Sequence, residues 1–496
     1  MRREATTYRF SHHRGRTVHI GEVKAVAEID LVIRNVRLVS QQITGETDGE
    51  ITSAAGNPIN DNEVNRWDIA VAGEKIVEIR STVSQCAENE IDGTGLTAFP
   101  GLIDSHVHLN DPGRDHWEGG RTGSSALAAG GVTCFADMPL NSSPPTLTAD
   151  AFDAKCKRLS ETSRIDFALW GGLTPQNIDH MDELAERGVI GFKAFMCPSG
   201  IEDFCHADDL TLLRGMERAA KLKLPVTVHA ENAALTGALS ADFSKSGRTD
   251  AEAFFESRPV VAELEAIQRA ILYARETGCA LHIVHVSSAQ GIAMVRDAVH
   301  RQGIDVTCET CPHYLMFTAA DAARIGPAAK CAPPLRSEME REELLTALKR
   351  GQIDLVGSDH SPSPAGMKMG KSFVDAWGGI AGAQMTLRAL LTLGVSEAQV
   401  LDLMGMSPAT RFALARKGRL APGYDADIVL VNPGAPERPV TKIELCDRHR
   451  TSAWIGVKLR GSIEFVFRRG ELIRQGSIWC NDSCGRFVKS FVGEST

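Results

Sequence analysis

Eight short apolar runs, separated by Ala- and Leu-rich stretches of helical character, occupy residues 101–360 and limit the fold more than any other feature. They read GLIDSHVH (101–108), GVTCFADM (131–138), RIDFALWGG (164–172), VIGFKAF (189–195), PVTVHAE (225–231), ALHIVHVS (280–287), IDVTCET (304–310) and IDLVGSDH (353–360). Near-continuous apolar runs suit strands covered on both faces, and the helical spacers supply the crossovers that parallel strands need. Eight such strands with intervening helices are what a (β/α)8 barrel requires, a TIM barrel of the α/β class. An open doubly wound sheet would show the same alternation, but it is expected to carry a Gly-rich phosphate turn after its first strand, and none is present.

The runs are bracketed by β-patterned ends. Residues 30–39, DLVIRNVRLV, alternate apolar and polar side chains as a half-buried strand does, and residues 68–79 and 96–101 add two more strand-like pieces. Between them residues 42–66, rich in Gly, Asn, Asp and Thr, read as a long hairpin loop. After a helical region through about residue 416, GRLAPGYDADIVLVNP (418–433) and SIEFVFRRGELI (462–473) return to strands. The two ends are expected to pair into one small β-sandwich. This divides the chain into 30–100 (first part of the sandwich), 101–416 (barrel) and 417–496 (second part with a C-terminal tail), a division that suits 496 residues. Residues 1–29, rich in Arg and His but without the apolar core of a secretion signal, are expected to be a disordered extension rather than a transit peptide.

Bulk properties exclude several classes. A net charge of −9 argues against a nucleic-acid-binding surface. No stretch approaches the roughly 18 to 20 uninterrupted apolar residues of a membrane span, so no membrane partner is expected. The 12 cysteines are scattered rather than spaced as a framework, which suits reduced thiols and a cytoplasmic location. Cys308 and Cys311 form a C-x-x-C pair, but no second pair stands at zinc-knuckle spacing.

The chemistry concentrates at the ends of the runs. Run one carries His106 and His108, run four Lys193, run five His229, run six His285 and run eight Asp359. Catalytic groups of such barrels sit at the C-terminal ends of the strands, where all six fall. His106 and His108 share a strand face with Asp104, and two imidazoles on one face suit chelation better than apolar packing. His285 is expected on the face of Leu281 and Ile283, whereas His282 faces the other way as a core histidine. A buried unpaired ammonium costs several kcal/mol, so Lys193 at a strand end needs a chemical reason. Carboxylation by carbon dioxide is one, since the resulting carbamate can bridge two cations. Four imidazoles, this anion and Asp359 are enough ligands for two divalent metals, which share a water and lower its pKa towards neutrality. Asp359 beside that water is then the general base that takes its proton and the acid that returns it to the departing nitrogen. No G-x-S-x-G nucleophile elbow competes with this reading.

From about residue 30 to 473 the chain resembles the cyclic amidohydrolases, which comprise dihydroorotases, hydantoinases or dihydropyrimidinases, and allantoinases. The shared stretches are PGLIDSHVH, GFKAF, VHAEN, HIVHVSSAQG, ETCPHYL, PPLR, GSDHSP and PGYDADIVLV. The resemblance implies a binuclear centre held by His106, His108, carboxylated Lys193, His229, His285 and Asp359, and a homotetrameric assembly. Mixed His, carboxylate and carbamate ligands accept zinc, cobalt, manganese or iron, and zinc is the metal expected.

Within the family, four stretches are similar to the allantoinase branch. HVHLNDPG has Asn110 where dihydroorotases carry a carboxylate-gripping arginine, and MPLNSSPPT (138–146) follows the second run. GFKAFMCPSG puts Pro198 and Ser199 where hydantoinases usually present a Tyr, so no side-chain oxyanion donor is expected. DHSPSP (359–364) and WGGIAGAQ (377–384) complete the set, with Ser363 where the family often has Cys. The implied reaction is ring-opening of the small molecule allantoin to allantoate, ahead of a hydantoinase or dihydropyrimidinase activity and of a non-catalytic scaffold. Asn141, Ser287, Thr310, Cys331 and Ser361, at strand ends, are the expected substrate contacts.

Overall fold

The computed structural model describes residues 28–39 and 66–490. Residues 1–27 of the expected extension, the expected loop as far as residue 65 and the last six residues of the chain lie outside the described residues.

Each apolar run contains a strand, and we number these β1 (Leu102–Val107), β2 (Val132–Asp137), β3 (Asp166–Leu169), β4 (Phe192–Phe195), β5 (Val226–His229), β6 (Leu281–Ile283), β7 (Val306–Thr310) and β8 (Leu355–Val356). Parallel ladders join β1 to β2 to β3, and β4 through to β8. Beyond Trp170 the third run continues as Gly171–Gly172, which pairs with Phe192 and Lys193 of β4. The ring closes where Val107 bridges His360 and the His108 N–H donates to the His360 carbonyl at 2.8 Å. The (β/α)8 barrel expected from the runs is therefore the fold found. Helices cross between strands, and several start on a side-chain cap: Thr148, Asp208, Ser288 and Ser337 each accept from a backbone N–H of their own first turn.

The two ends of the chain meet in a second β unit. Strands Leu31–Leu38, Arg66–Ala72, Lys75–Arg80, Asn89–Asp92 and Thr97–Pro100 join Ile428–Asn432, Ser462–Arg468, Glu471–Gln475 and Ile478–Trp479 in one nine-stranded sheet. The link between the ends is the antiparallel ladder from Thr97–Pro100 to Ile428–Asn432. Hydrogen bonding runs through all nine strands, so the sandwich expected from sequence is built from one continuous sheet rather than two separate ones. Its alternation is sharp: Ile428 and Leu430 pack with Ile33, Ile69 and Ala98, whereas Val429 and Val431 join the core of the barrel. Each such buried side chain contributes about 1.5–3 kcal/mol. Gly101 alone separates the sheet strand ending at Pro100 from β1. A Cβ there would fall 1.9 Å from Thr133 Oγ1, so the close approach of sheet to barrel needs glycine. The C-terminal segment leaves the sheet altogether: Phe487 bridges Phe167, and the Val488 N–H donates to the Phe167 carbonyl at 2.7 Å, alongside β3. Among the described residues, no helix is long and apolar enough to cross a membrane.

Candidate metal and active site

The barrel brings the six expected ligand residues to its C-terminal rim. His106 lies within β1 and His108 just beyond it, Lys193 lies in β4, and His229 ends β5. His285 and Asp359 come two and three residues after the ends of β6 and β8. All six are buried. Asp359 Oδ1 stands 3.4 Å from His106 Nε2 and 3.3 Å from His108 Nε2, and His229 Nδ1 stands 3.0 Å from His285 Nε2. The His106 and His285 rings are 5.4 Å apart, which joins the two halves of the cluster.

One expectation about how this happens needs correction. His285 does not continue the alternation of β6, because its φ is 38°; Asp359 has a φ of 44°. Both ligands sit in left-handed backbone that ordinary side chains avoid, at a cost on the order of 1–3 kcal/mol each. The chain turns there to aim the side chain inward.

Three of the four imidazoles, those of His106, His108 and His229, are held from behind. Nδ1 of His106 meets Glu309 of β7 in a very short contact, and the other Glu309 oxygen lies 3.2 Å from His282 Nε2. His282 is thus the buried core histidine expected, with its Nδ1 2.8 Å from Thr307 Oγ1, but it also anchors Glu309. His229 Nε2 stands 2.7 Å from Glu231, which in turn pairs closely with Arg258. Asn141 Nδ2 lies 3.5 Å from His108 Nδ1. Carboxylate partners of this kind fix the imidazole tautomer and leave the opposite nitrogen for a metal.

The electrostatics agree. Burial depresses the His108, His229 and His285 pKa values, keeping lone pairs available, and His229 and Lys193 push His285 further down. Burial would raise the Asp359 carboxyl, yet the His106 and His108 rings hold it down at about 2. Burial lowers the Lys193 amine to about 8, and its Nζ is fully enclosed without a hydrogen-bond partner. His285 Nδ1 is likewise buried without a partner. Orphaned polar atoms of this sort each cost about 1–3 kcal/mol, so a cluster of them points to a group that completes it. Ligand atoms of His106, His108 and Asp359 all lie within 4.8 Å of one another, and imidazole with carboxylate is a donor set for divalent transition metals. The residues fit a metal centre.

At the cluster opens a cavity of about 290 Å3, lined by five of the six expected ligands; Lys193 is not among the lining residues. Of the five expected substrate contacts, Asn141, Cys331 and Ser361 line this cavity. Ser287 and Thr310 are not among the lining residues. Ser287 Oγ donates to Glu263 at 3.0 Å, and Thr310 Oγ1 donates to the Val286 carbonyl at 2.8 Å. Asn110 is buried with Nδ2 3.4 Å from the Pro362 carbonyl, away from the lining. Among the described residues no tyrosine lines the cavity, while Pro198 and Ser199 do.

Glu309, Glu231, Arg258, Lys330 and Trp377 belong to the site without having been anticipated. An acid inside an apolar strand run, as in IDVTCET and PVTVHAE, is the same signal that exposed Lys193 and would have found the two glutamates. Arg258, Lys330 and Trp377 come from connecting segments and carry no such mark.

Comparison with known proteins gives a consistent result. The profile of the Amidohydrolase family matches residues 97–473. A protein of Deinococcus radiodurans named allantoinase is 47% identical over 429 residues, 86% of this chain and 95% of that one. An allantoinase of Escherichia coli is 39% identical over 427 residues, 84% and 93% of the two chains. Among solved structures, the L-hydantoinase (dihydropyrimidinase) of Arthrobacter aurescens superposes with a TM-score of 0.85 at 32% identity, covering 93% of this chain and all of that one.

Proposed function

Because the chain belongs to the amidohydrolase family and falls with its allantoinases, we propose that it is a hydrolase opening the five-membered ring of allantoin to give allantoate. The observation that carries this reading is 39–47% identity to allantoinases along 84–86% of a chain whose histidine and aspartate cluster is assembled at the barrel rim. The hydantoinase-type alternative shares the fold, but the identity to its solved members is lower.

We assign His106, His108, His229, His285, Asp359 and a carboxylated Lys193 as ligands of two divalent metals, zinc first. Bound there, such ions supply a polarised ring carbonyl and a water acidic enough to lose its proton near neutral pH. Asp359, kept ionised by its histidine neighbours, takes that proton and returns it to the ring nitrogen as the C–N bond breaks. Glu309 and the Glu231–Arg258 pair keep the His106 and His229 rings in the tautomer that faces the cluster. The buried floor and the apolar faces of Phe195 and Trp377 limit bulk water at the reacting carbonyl. Asn141, Cys331 and Ser361 are the substrate contacts supported by the cavity. Asn110 offers no cation for the carboxylate of a dihydroorotate, which suits a substrate without one.

All twelve cysteines are free, which supports a reducing, cytoplasmic setting, and family resemblance supports a homotetramer. Turnover of allantoin, hydantoin, dihydrouracil and dihydroorotate by one metal-analysed preparation tests the assignment. Allantoin is expected to be fastest, and faster hydrolysis of dihydrouracil would overturn it.

A further inference from the structure

Two lysines, Lys330 in the cavity lining and Lys368 outside it, carry an arrangement that the metal centre does not explain. Lys330 and Lys368 are 6% and 4% exposed, and among the described residues neither ammonium forms a close ion pair, Asp375 acting on Lys330 only from a distance. A buried ammonium without an anion is expensive and persists only where its hydrogens are all used. Here backbone carbonyls use them. Lys330 Nζ donates to the Val374 and Ala376 carbonyls, both at 2.6 Å, and rests 4.6 Å from the centre of the Phe254 ring. Lys368 Nζ donates to the carbonyls of Gly379 at 2.6 Å, Trp377 at 3.0 Å and Pro327 at 3.3 Å.

Four of the five carbonyls belong to one segment, residues 374–379, and residues 375–379 line the cavity. The segment is not a helix or strand, and apart from the lysines it is held by scattered backbone bonds, the Val374 N–H donating to the Thr249 carbonyl at 3.3 Å and the Trp377 N–H to the Met367 carbonyl at 3.0 Å. Its front is set by Trp377, which packs edge-on against Trp117 at 5.0 Å. Its back is set by the lysines, helped by the Gly379 N–H donating to the Lys330 carbonyl at 2.7 Å.

We propose that Lys330 and Lys368 are positioning residues for the reaction, their ammonium groups holding the 374–379 segment as the cavity wall against which the substrate is seated. Charge-assisted bonds to carbonyls suit this task, because an ammonium gathers several oxygens that would otherwise repel one another. None of residues 374–379 is among the expected ligands, so loss of the wall is expected to act on substrate binding before chemistry. This inference rests on the hydrolase reading of the cavity.

The test uses the metal-loaded full chain with Lys330→Met, Lys368→Met and the double variant, since Met keeps most of the apolar stem. Amide hydrogen exchange across residues 366–379 is expected to speed up by about tenfold or more while the barrel strands stay protected. Metal content is expected to hold, and KM for allantoin to rise about tenfold or more with a smaller change in kcat. Lys368→Gln, which keeps two donors, restores part of both readouts if the bonds matter. Unchanged exchange in the segment overturns the clamp. Faster exchange with unchanged KM overturns the positioning role, and so does equal loss in the Gln and Met variants. Should the wild-type chain fail to open allantoin, the exchange data still decide the clamp, so the two failures are told apart.

Discussion

Glu309 reaches across the barrel to hold Nδ1 of His106, while Nε2 of the same ring lies 3.4 Å from Asp359. One nitrogen is thereby committed to the scaffold and the other to the cluster. Burial would raise the Glu309 carboxyl, but His106 and His282 hold it far below its ordinary value, so it is an anion at any working pH. Glu309→Gln keeps the shape and removes the charge. Metal affinity is expected to fall by about 10–100-fold, measured by chelator competition on a protein with unchanged circular dichroism. Wild-type affinity in this variant would mean that the ring is held by packing alone.

On the proposed reading Asp359 has a second duty beyond ligation, as a carboxylate beside both His106 and His108. Asp359→Asn is expected to retain metal yet lower kcat by roughly 10²–10⁴-fold, the range for removing a general acid–base. Metal analysis and kinetics on the same sample separate the two duties. Loss of metal in proportion to activity would reduce Asp359 to a ligand.

Lys193 Nζ has no partner in a fully enclosed position, and its amine, lowered by burial to about 8, is a better nucleophile than an exposed one. Attack on carbon dioxide forms a C–N bond and releases one proton, leaving an anionic carbamate. Reconstitution of metal-free protein in bicarbonate-free buffer is therefore expected to stop short of two metals per chain, and added bicarbonate to complete it. Lys193→Ala is expected to lose at least one metal, with partial rescue by short carboxylic acids. Full metal loading of that variant would sink the carbamate bridge.

The six expected ligands were legible in the sequence for one reason: each polar side chain stands at the end of an otherwise apolar strand run, where it has to be explained. What the sequence left hidden follows from where that logic stops. Alternation along β6 placed His285 on the face of Leu281 and Ile283, but the left-handed turn at His285 ends the alternation, and Ser287, expected at the pocket, turns back to Glu263 from the preceding helix. Run eight keeps only Leu355–Val356 as strand, since Asp104 Oδ1 captures the Ser358 N–H at 3.1 Å and draws the chain towards β1. The Lys330 and Lys368 contacts join segments some 40 residues apart or lie within one irregular loop, and no periodicity encodes them. The β ends were readable as strands, but a single sheet instead of two depends on the Thr97–Pro100 to Ile428–Asn432 pairing, which local pattern does not specify.

The opposite end of the barrel holds a different buried charge, and it predicts a stability effect without a catalytic one. Lys417 Nζ bonds Asp166 and Asp427, both at 2.7 Å, and Asp425 at 3.0 Å, with Lys417 2% exposed. Asp166 opens β3 and Asp427 precedes the sheet strand Ile428–Asn432, so this ammonium pins barrel to sheet at the rim away from the metal cluster. Burial alone would lower the Lys417 pKa, but Asp427 and Asp166 outweigh it and hold it well above the ordinary value. Lys417→Met takes away the ion pair of Asp427, while Arg469 still answers Asp166 and Arg416 still answers Asp425, and is expected to destabilise by about 3–5 kcal/mol. The sign with pH follows from the same contacts. Without the ammonium, the folded-state carboxyl pKa values rise above their unfolded values, so the folded state binds more protons and gains stability as pH falls. Denaturant titration should therefore show a deficit that is largest near pH 8 and shrinks towards pH 5, while kcat of the folded fraction stays at the wild-type level. A deficit that grows towards pH 5 would show that the aspartates, rather than the lost lysine, govern this junction.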